Sequence, residues 1–346
     1  MPKIFITGIT GQIGSFVADL FLKNGYEVWG GVRRSANFNP WRLEHFGILN
    51  KVLLEYMDLA DQSSIDGVIK KIKPDLMLNA AAQSFVGSSW EIGEYTLDVT
   101  GVGVYRCLES IRKHAPKCRF LQMSSSEMFG DNPEYPYNET SRFQPRSPYG
   151  CAKCLGFNLT VNFRESYGIF ASNIILFNTE SPLRGQEFLT RKVVTEGVRV
   201  DNEIKTSKTP TPLCLGNLTP SRDWTWAGDT ANAINLILNH NRSDDFCICS
   251  GTTNTVRTFC DKTFAALGYE PWWVSNSPLD DAIEMAIDKK TGVILAKSLR
   301  SLYRPADVPH LIGNNSKAQK ILGWKPTKNL DEIIREMINY EKARRN

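Results

Sequence analysis

The 346 residues, 42% apolar and 23% charged, hold enough hydrophobic mass for one large core or two lobes, which argues against a disordered or fibrous chain. A net charge of +4, from 41 basic against 37 acidic residues with no basic block, argues against nucleic acid as a partner and suits an anionic small molecule. The eight irregularly spaced cysteines read as reduced thiols, and no stretch is long enough to span a bilayer or to form a secretory signal, so a cytoplasmic protein without membrane contact is expected.

Lys3-Ile-Phe-Ile-Thr7 reads as a buried strand, followed by a glycine-rich turn and by helical spacing of Ile13, Val17, Leu20 and Phe21 up to the stop at Asn24-Gly25. Tyr26 to Val32, Val52 to Met57, Asp75 to Asn79 and Arg119 to Met123 read as further strands with helical patterns between them. Tyr149 to Tyr167 reads as a long helix and Ile169 to Phe177 as the next strand. Such alternation predicts an α/β fold, a doubly wound parallel sheet with right-handed crossovers. From Asn178 the elements shorten and Arg, Pro and Gly accumulate, before strand and helix signals resume at Ala227 to His240 and Asp245 to Ser250. The division expected is a nucleotide-binding domain of 1–177 plus 223–250 and a smaller α/β lobe of 178–222 plus 251–346, with the ligand site in the cleft between them.

The turn Thr7-Gly8-Ile9-Thr10-Gly11-Gln12-Ile13-Gly14 follows a buried strand and opens a helix. Glycines there allow a tight bend and let backbone N–H groups reach a pyrophosphate where the helix dipole favours an anion, so Gly8, Thr10, Gly11, Gln12, Ile13 and Gly14 are cofactor candidates. At the end of the second strand an acid would bind the ribose of NAD, but this chain has Val32-Arg33-Arg34-Ser35. Arg33, Arg34 and Ser35 suit a 2′-phosphate, and NADP is the expected cofactor. Asp58 and Leu59 are candidate adenine contacts, and Ala80, Ala81 and Ala82 let backbone pass close to the ribose.

Tyr149-Gly-Cys-Ala-Lys153 puts a lysine one helical turn from a tyrosine. A phenol with an ordinary pKa of about 10 is a poor base until a cation stabilises its phenolate, and Lys153 is placed to do so and to touch the cofactor ribose. Ser125 lies just past a strand, at the sheet edge where ligands of this fold class bind, and can hold the reacting oxygen. These three are the apparatus for oxidising a sugar hydroxyl. Glu127 adds a carboxylate able to take the acidified proton beside a ketone and, once protonated, to help a neighbouring hydroxyl leave as water. Cys151 and Cys154 form a C-x-x-C inside the helix with no second pair or histidine cluster, so no metal is expected.

With these residues assembled, the chain resembles the extended short-chain dehydrogenases/reductases and, among them, the GDP-mannose 4,6-dehydratase family. The likeness rests on the glycine turn, Arg33-Arg34-Ser35, Ala81-Ala-Gln-Ser84, Ser124 to Glu127, Arg146-Ser-Pro-Tyr149, Glu180-Ser-Pro182, Thr190-Arg-Lys192, Arg222-Asp-Trp224 and Tyr303-Arg-Pro-Ala306. The resemblance implies a GDP-sugar 4,6-dehydratase acting on GDP-mannose with internally recycled NADP. It implies Ser125, Glu127, Tyr149 and Lys153 as catalytic, and Gln83, Ser84, Ser125, Glu127, Asn178, Lys192, Arg222, Arg304 and Asp307 as substrate contacts. A homo-oligomer, dimer or tetramer, is implied as well. Departures fall at Ile13, Phe85, Thr179, Leu183, Gln186-Glu187, Thr225-Trp226 and Asp307. They keep two alternatives open: a related GDP-sugar such as a GDP-heptose, or a GDP-4-keto-sugar reductase or epimerase.

Overall fold

A computed structural model describes residues 1–275, 281–303 and 308–345. In chain order the first half comprises β1 (Lys3–Thr7), α1 (Gln12–Lys23), β2 (Glu27–Val32), α2 (Trp41–His45), β3 (Leu53–Tyr56), α3 (Gln62–Ile72), β4 (Leu76–Asn79), α4 (Gly93–Leu97), α5 (Gly103–His114), β5 (Arg119–Ser125), α6 (Pro148–Tyr167) and β6 (Ala171–Leu176). There follow β7 (Asn178–Glu180), α7 (Leu189–Lys205), β8 (Leu213–Leu215), β9 (Ser221–Arg222), β10 (Trp224–Trp226), α8 (Ala227–Leu238), β11 (Asp245–Ile248), β12 (Asn254–Thr255), α9 (Val256–Leu267), β13 (Pro271–Ser275), β14 (Ala282–Asp288), β15 (Ile294–Leu299), α10 (Ser316–Leu322) and α11 (Leu330–Arg345).

Seven parallel strands form the large sheet in the order β11-β6-β5-β4-β1-β2-β3. The chain runs outward from β1 through β2 to β3, then returns to place β4 on the other side of β1. The crevice at this reversal is where the ends of β1 and β4 diverge, the usual ligand position in such sheets. Strand alternation sends Ile4, Ile6 and Leu78 to one face with α1 and α8, and Phe5, Met77 and Phe120 to the other with α3 and α5. The helices follow from local signals. Asp61 caps α3 by accepting from the Ser63 amide, and Ile65, Val68, Ile69 and Ile72 form its buried stripe. Ser147 accepts from the Gly150 amide and Pro148 occupies the first turn of α6, which ends at Gly168 with φ of 65°.

The strand expected to stop at Met123 runs on to Ser125, because Ser124 and Ser125 still pair with Ile175 and Leu176 of β6. In the smaller lobe β13, β14, β15 and β8 form a four-stranded sheet packed on α7, α9 and α11 around Phe259, Phe264, Leu295 and Met337. Of the stretch 251–346 expected in that lobe, Ala318 and Trp324 instead pack into the core of the large sheet. Trp324 is 1% exposed there and donates from Nε1 to the Asp229 carbonyl at 2.9 Å, which gives its one polar atom a partner. No described helix is long and apolar enough to cross a membrane.

Candidate active site

The carboxyl ends of β1, β4, β5 and β6 face a cavity of about 720 Å³ whose far wall comes from the segments after β7 and β8. The glycine turn forms one end of it. Gly8 has φ of 66°, and a Cβ on it would stand 3.0 Å from the Ala81 backbone, so only glycine lets the turn touch the end of β4. A Cβ on Gly14 would stand 2.4 Å from the Gly8 carbonyl, which packs the first turn of α1 down onto the bend. Gly11 occupies the N-cap position of α1 without a side-chain cap, leaving the leading N–H groups to an anion in the cavity. This cradle fits a dinucleotide pyrophosphate.

Beneath the turn a buried relay crosses the sheet. Thr7 Oγ1 donates to Asn79 Oδ1 at 2.7 Å, Asn79 Nδ2 donates to Gln122 Oε1 at 2.8 Å, and Gln122 Nε2 donates to the Met123 carbonyl at 2.9 Å. The same carbonyl accepts from Lys153 Nζ at 2.6 Å. The relay thus fixes the lysine to the strand that carries Ser125. Burial draws the Lys153 ammonium down to about 8, so it still carries its proton at neutral pH.

Tyr149 projects from the first turn of α6 and is 8% exposed. Burial pushes its phenol up to about 12 with the Glu127 charge adding to the rise, while a hydrogen bond with Ser125 and the Arg184 guanidinium work the other way. Glu127 sits in the short 3₁₀ turn Ser126–Met128, and its amide donates to Ser125 Oγ at 3.2 Å. The Glu127 turn and α6 meet at Gly150, where a Cβ would stand 2.8 Å from the Glu127 carbonyl. A side chain at 150 would therefore push the carboxylate's turn away from the phenol's helix.

On the far wall, Asn178 hangs from β7, Lys192 Nζ donates to the Cys214 carbonyl at 2.8 Å, and Arg222 Nη1 donates to the Val308 carbonyl at 2.8 Å. Glu180 is 1% exposed, and burial raises its pKa against the Arg184 charge and a 2.5 Å hydrogen bond from Thr190 Oγ1. Arg184 lies 3.7 Å from that carboxylate and stacks 3.9 Å over the Phe188 ring, which meets Phe85 edge to face at 5.9 Å.

Of the residues expected from sequence, the cavity brings together Gly8, Gly11, Gln12, Ile13, Gly14, Ala80, Ala82, Ser84, Ser125, Glu127, Tyr149, Lys153, Asn178, Lys192 and Arg222. Thr10, Ala81, Gln83, Arg33, Arg34, Ser35, Asp58 and Leu59 do not line it. Gln83 spends its amide on the loop beside it, donating to the Phe85 carbonyl at 3.0 Å and to Ser88 Oγ at 2.8 Å. Arg33 and Arg34 lie exposed past β2, and Arg33 Nη1 donates to the Tyr95 hydroxyl at 2.5 Å. Arg304 and Asp307 lie outside the described residues. Sequence reasoning missed Arg42, Glu180, Arg184 and Phe188, all of which line the cavity. Glu180 lay inside a stretch already singled out, while Arg42 carries no local signal because only the fold sets α2 beside the segment after β7. Among the departures, Phe85, Thr179 and Glu187 line the cavity, whereas Leu183 is buried away from it and Thr225 is buried behind it.

A family profile described as GDP-mannose 4,6 dehydratase matches residues 5–337. The Arabidopsis thaliana protein named GDP-mannose 4,6 dehydratase 2 is 42% identical over 346 residues, covering 97% of this chain and 86% of its own length. Among solved structures, the dTDP-glucose 4,6-dehydratase DesIV of Streptomyces venezuelae, with NAD and TYD bound, superposes with a TM-score of 0.79 at 18% identity, over 99% of this chain and 98% of that one. RMD of Pseudomonas aeruginosa, complexed with NADPH, superposes with a TM-score of 0.74 at 17% identity, over 99% and 100%. These two likenesses establish the shared fold.

Proposed function

The chain belongs to the GDP-mannose 4,6-dehydratase family, and from that premise we propose that it removes water from carbons 5 and 6 of GDP-mannose after oxidation at carbon 4. The observation that carries this reading is that Glu127 lines the same cavity as Ser125, Tyr149 and Lys153, its turn seated against α6 at Gly150. A reductase of the same fold needs the last three and not the carboxylate.

NADP⁺ bound along the glycine turn supplies the hydride acceptor and, once reduced, the hydride donor, so no external reductant is consumed. Tyr149 takes the proton of the carbon 4 hydroxyl while Ser125 holds that oxygen. Because burial has raised the phenol, the transfer depends on what steadies the phenolate: the Ser125 hydrogen bond and the Arg184 charge both work to lower it, while Lys153, held by the Met123 carbonyl, retains its own charge at neutral pH. Glu127 then removes the carbon 5 proton, made acidic by the ketone, and returns it to the carbon 6 hydroxyl as water departs. When hydride comes back to carbon 6, the proton Tyr149 took from the carbon 4 hydroxyl would complete carbon 5, which leaves both residues as they began. Asn178, Lys192 and Arg222 face the diphosphate from the far wall, with Arg184 beside them.

NADP over NAD is supported by Arg33, Arg34 and Ser35 at the end of β2, where no acid stands. The free state of all eight cysteines supports a reducing cytoplasm. Self-association is supported by the exposed apolar side chains Tyr95, Leu97, Val102, Tyr105 and Leu155 along α4 to α6. The deciding experiment is mass spectrometry of GDP-mannose incubated with the protein and NADP⁺. Loss of one water without net NADPH, absent in Glu127→Gln, is the expected result. An unchanged sugar nucleotide in the presence of bound NADP⁺ would reject GDP-mannose. GDP-heptose would be tested next, because Phe85, Thr179 and Glu187 reshape the wall.

A further inference from the structure

The glycine turn and the stretch from β7 to Arg184 both contribute to the cavity wall, and side chains outside the chemistry join them. Gln12 Nε2 donates to the Thr179 carbonyl at 2.9 Å, and Gln12 Oε1 accepts from Ser181 Oγ at 2.8 Å, both bonds being buried. Ser181 Oγ also accepts from the Leu183 amide at 3.1 Å. A second tie comes from Arg42 in α2. Its Nε donates to the Leu183 carbonyl at 2.7 Å and its Nη1 to the Thr10 carbonyl at 3.1 Å. One guanidinium therefore spans from the cofactor turn to the substrate segment, a bridge that its rigid planar fork of donors can hold and a single ammonium cannot.

Thr10 and Gln12 flank Gly11, at the N-cap position of α1, so whatever fixes the turn also fixes the segment tied to it. That segment continues into Arg184, whose Nη1 shares the Thr179 carbonyl with Gln12 at 2.9 Å. Resting on the dinucleotide and GDP-sugar reading above, we infer that Arg42 is a positioning residue that makes cofactor and substrate binding cooperative. A pyrophosphate on the turn orders Thr10 and Gln12, and through Arg42 and Ser181 it orders the segment that meets the nucleotide sugar. The second ligand then finds that ordering already done and binds more tightly, and linkage makes the factor equal in both directions.

Isothermal titration of the full chain with GDP, with and without saturating NADP⁺, tests this. Wild type should bind GDP at least about 5-fold tighter with NADP⁺, the lower end of ordinary coupling between sites. Arg42→Lys keeps the charge and loses the fork, so the factor should fall toward one while each ligand alone still binds. Ser181→Ala cuts the other tie and should lower the factor on its own, which keeps the test open if the Arg42 variant fails to fold. Equal weakening of GDP binding with and without NADP⁺ in Arg42→Lys, the factor unchanged, would make Arg42 a simple cavity cation and overturn the inference. A wild-type factor of one, with both ligands bound, would overturn it and leave the dehydratase reading standing. Failure of wild type to bind either ligand would remove both.

Discussion

The two walls of the cavity are built by different means. On the sheet side Tyr149 and Lys153 share one helix and Ser125 and Glu127 one strand end, and the long-range ties beneath them run between neighbouring strands, Thr7 to Asn79 to Gln122, and from Lys153 to the Met123 carbonyl. On the smaller lobe's side the elements are short, and polar contacts between distant segments hold them. Arg191, just before Lys192, is buried against Glu341 at 2.7 Å across 150 residues of sequence, and Lys262 reaches Asp331 at 2.7 Å across 69. Backbone geometry positions the chemistry, whereas long-range charge pairing positions the recognition surface. A change on one wall should therefore be read in turnover, and a change on the other in stability and affinity.

The largest effect expected is on the sheet side. Tyr149→Phe should cost roughly 10²- to 10⁴-fold in kcat, the usual worth of a proton-transfer group, with the melting temperature unchanged. A matching loss of stability would break the contrast. Next comes Arg191→Met, which leaves Glu341 buried without that partner. Burial works to raise the Glu341 pKa, but Arg345, Arg191 and Arg344 outweigh it and hold the carboxyl below its usual range. Breaking a buried pair outright costs about 3–5 kcal/mol; because Arg344 and Arg345 stay beside Glu341, the loss in urea melts should lie at or below the lower end of that range, and the double replacement Arg191→Met with Glu341→Leu should recover part of it.

Asp223 lies where the walls join, accepting from the Ser250 and Gly251 amides at 2.7 and 2.9 Å, and burial pushes its carboxyl up to about 6. Its folded pKa is raised, so the folded chain holds this proton more tightly than the unfolded one between about pH 4 and 6. The associated stability is present below that window and lost as pH rises through it. The stability difference between wild type and Asp223→Asn should accordingly shift by on the order of 3 kcal/mol between pH 4 and 7. A difference independent of pH would show the carboxyl to be ionised throughout. The smallest effect belongs to the exposed cations: Arg34→Ala should weaken NADP⁺ relative to NAD⁺ by about tenfold, since solvent screens such contacts. No change in that ratio would remove Arg34 from cofactor selection.

The same contrast explains what could be read from the sequence. Lys3–Thr7 was expected as a strand and is one, and the helix expected from Tyr149 starts one residue earlier at Pro148, because apolar periodicity and capping residues act over a few positions. Ser125 with Glu127, and Tyr149 with Lys153, were legible as cavity residues for the same reason, since short spacing fixes the geometry within each pair, while the sheet brings the two pairs together. Arg42 and Arg184 were not legible as site residues, because what brings them to the cavity is the packing of α2 beside a segment some 140 positions away, Arg42 to Leu183 being 141. Nor could spacing show that Gln83 turns from the cavity to brace its own loop. Trp324 was placed in the wrong lobe because the chain returns to the large sheet after leaving it, and composition does not change at the crossing.

That return governs the order in which the molecule can be completed. Trp324 fills the core of a sheet whose β1 strand, Lys3–Thr7, is synthesised long before it. Until Trp324 itself is made the sheet lacks this side chain, and the apolar wall it covers stays open to water and to other chains. A nonsense codon a few positions before 324 would thus harm the nucleotide-binding half despite sparing its every strand, and neither lobe can be cut out as a contiguous piece of message.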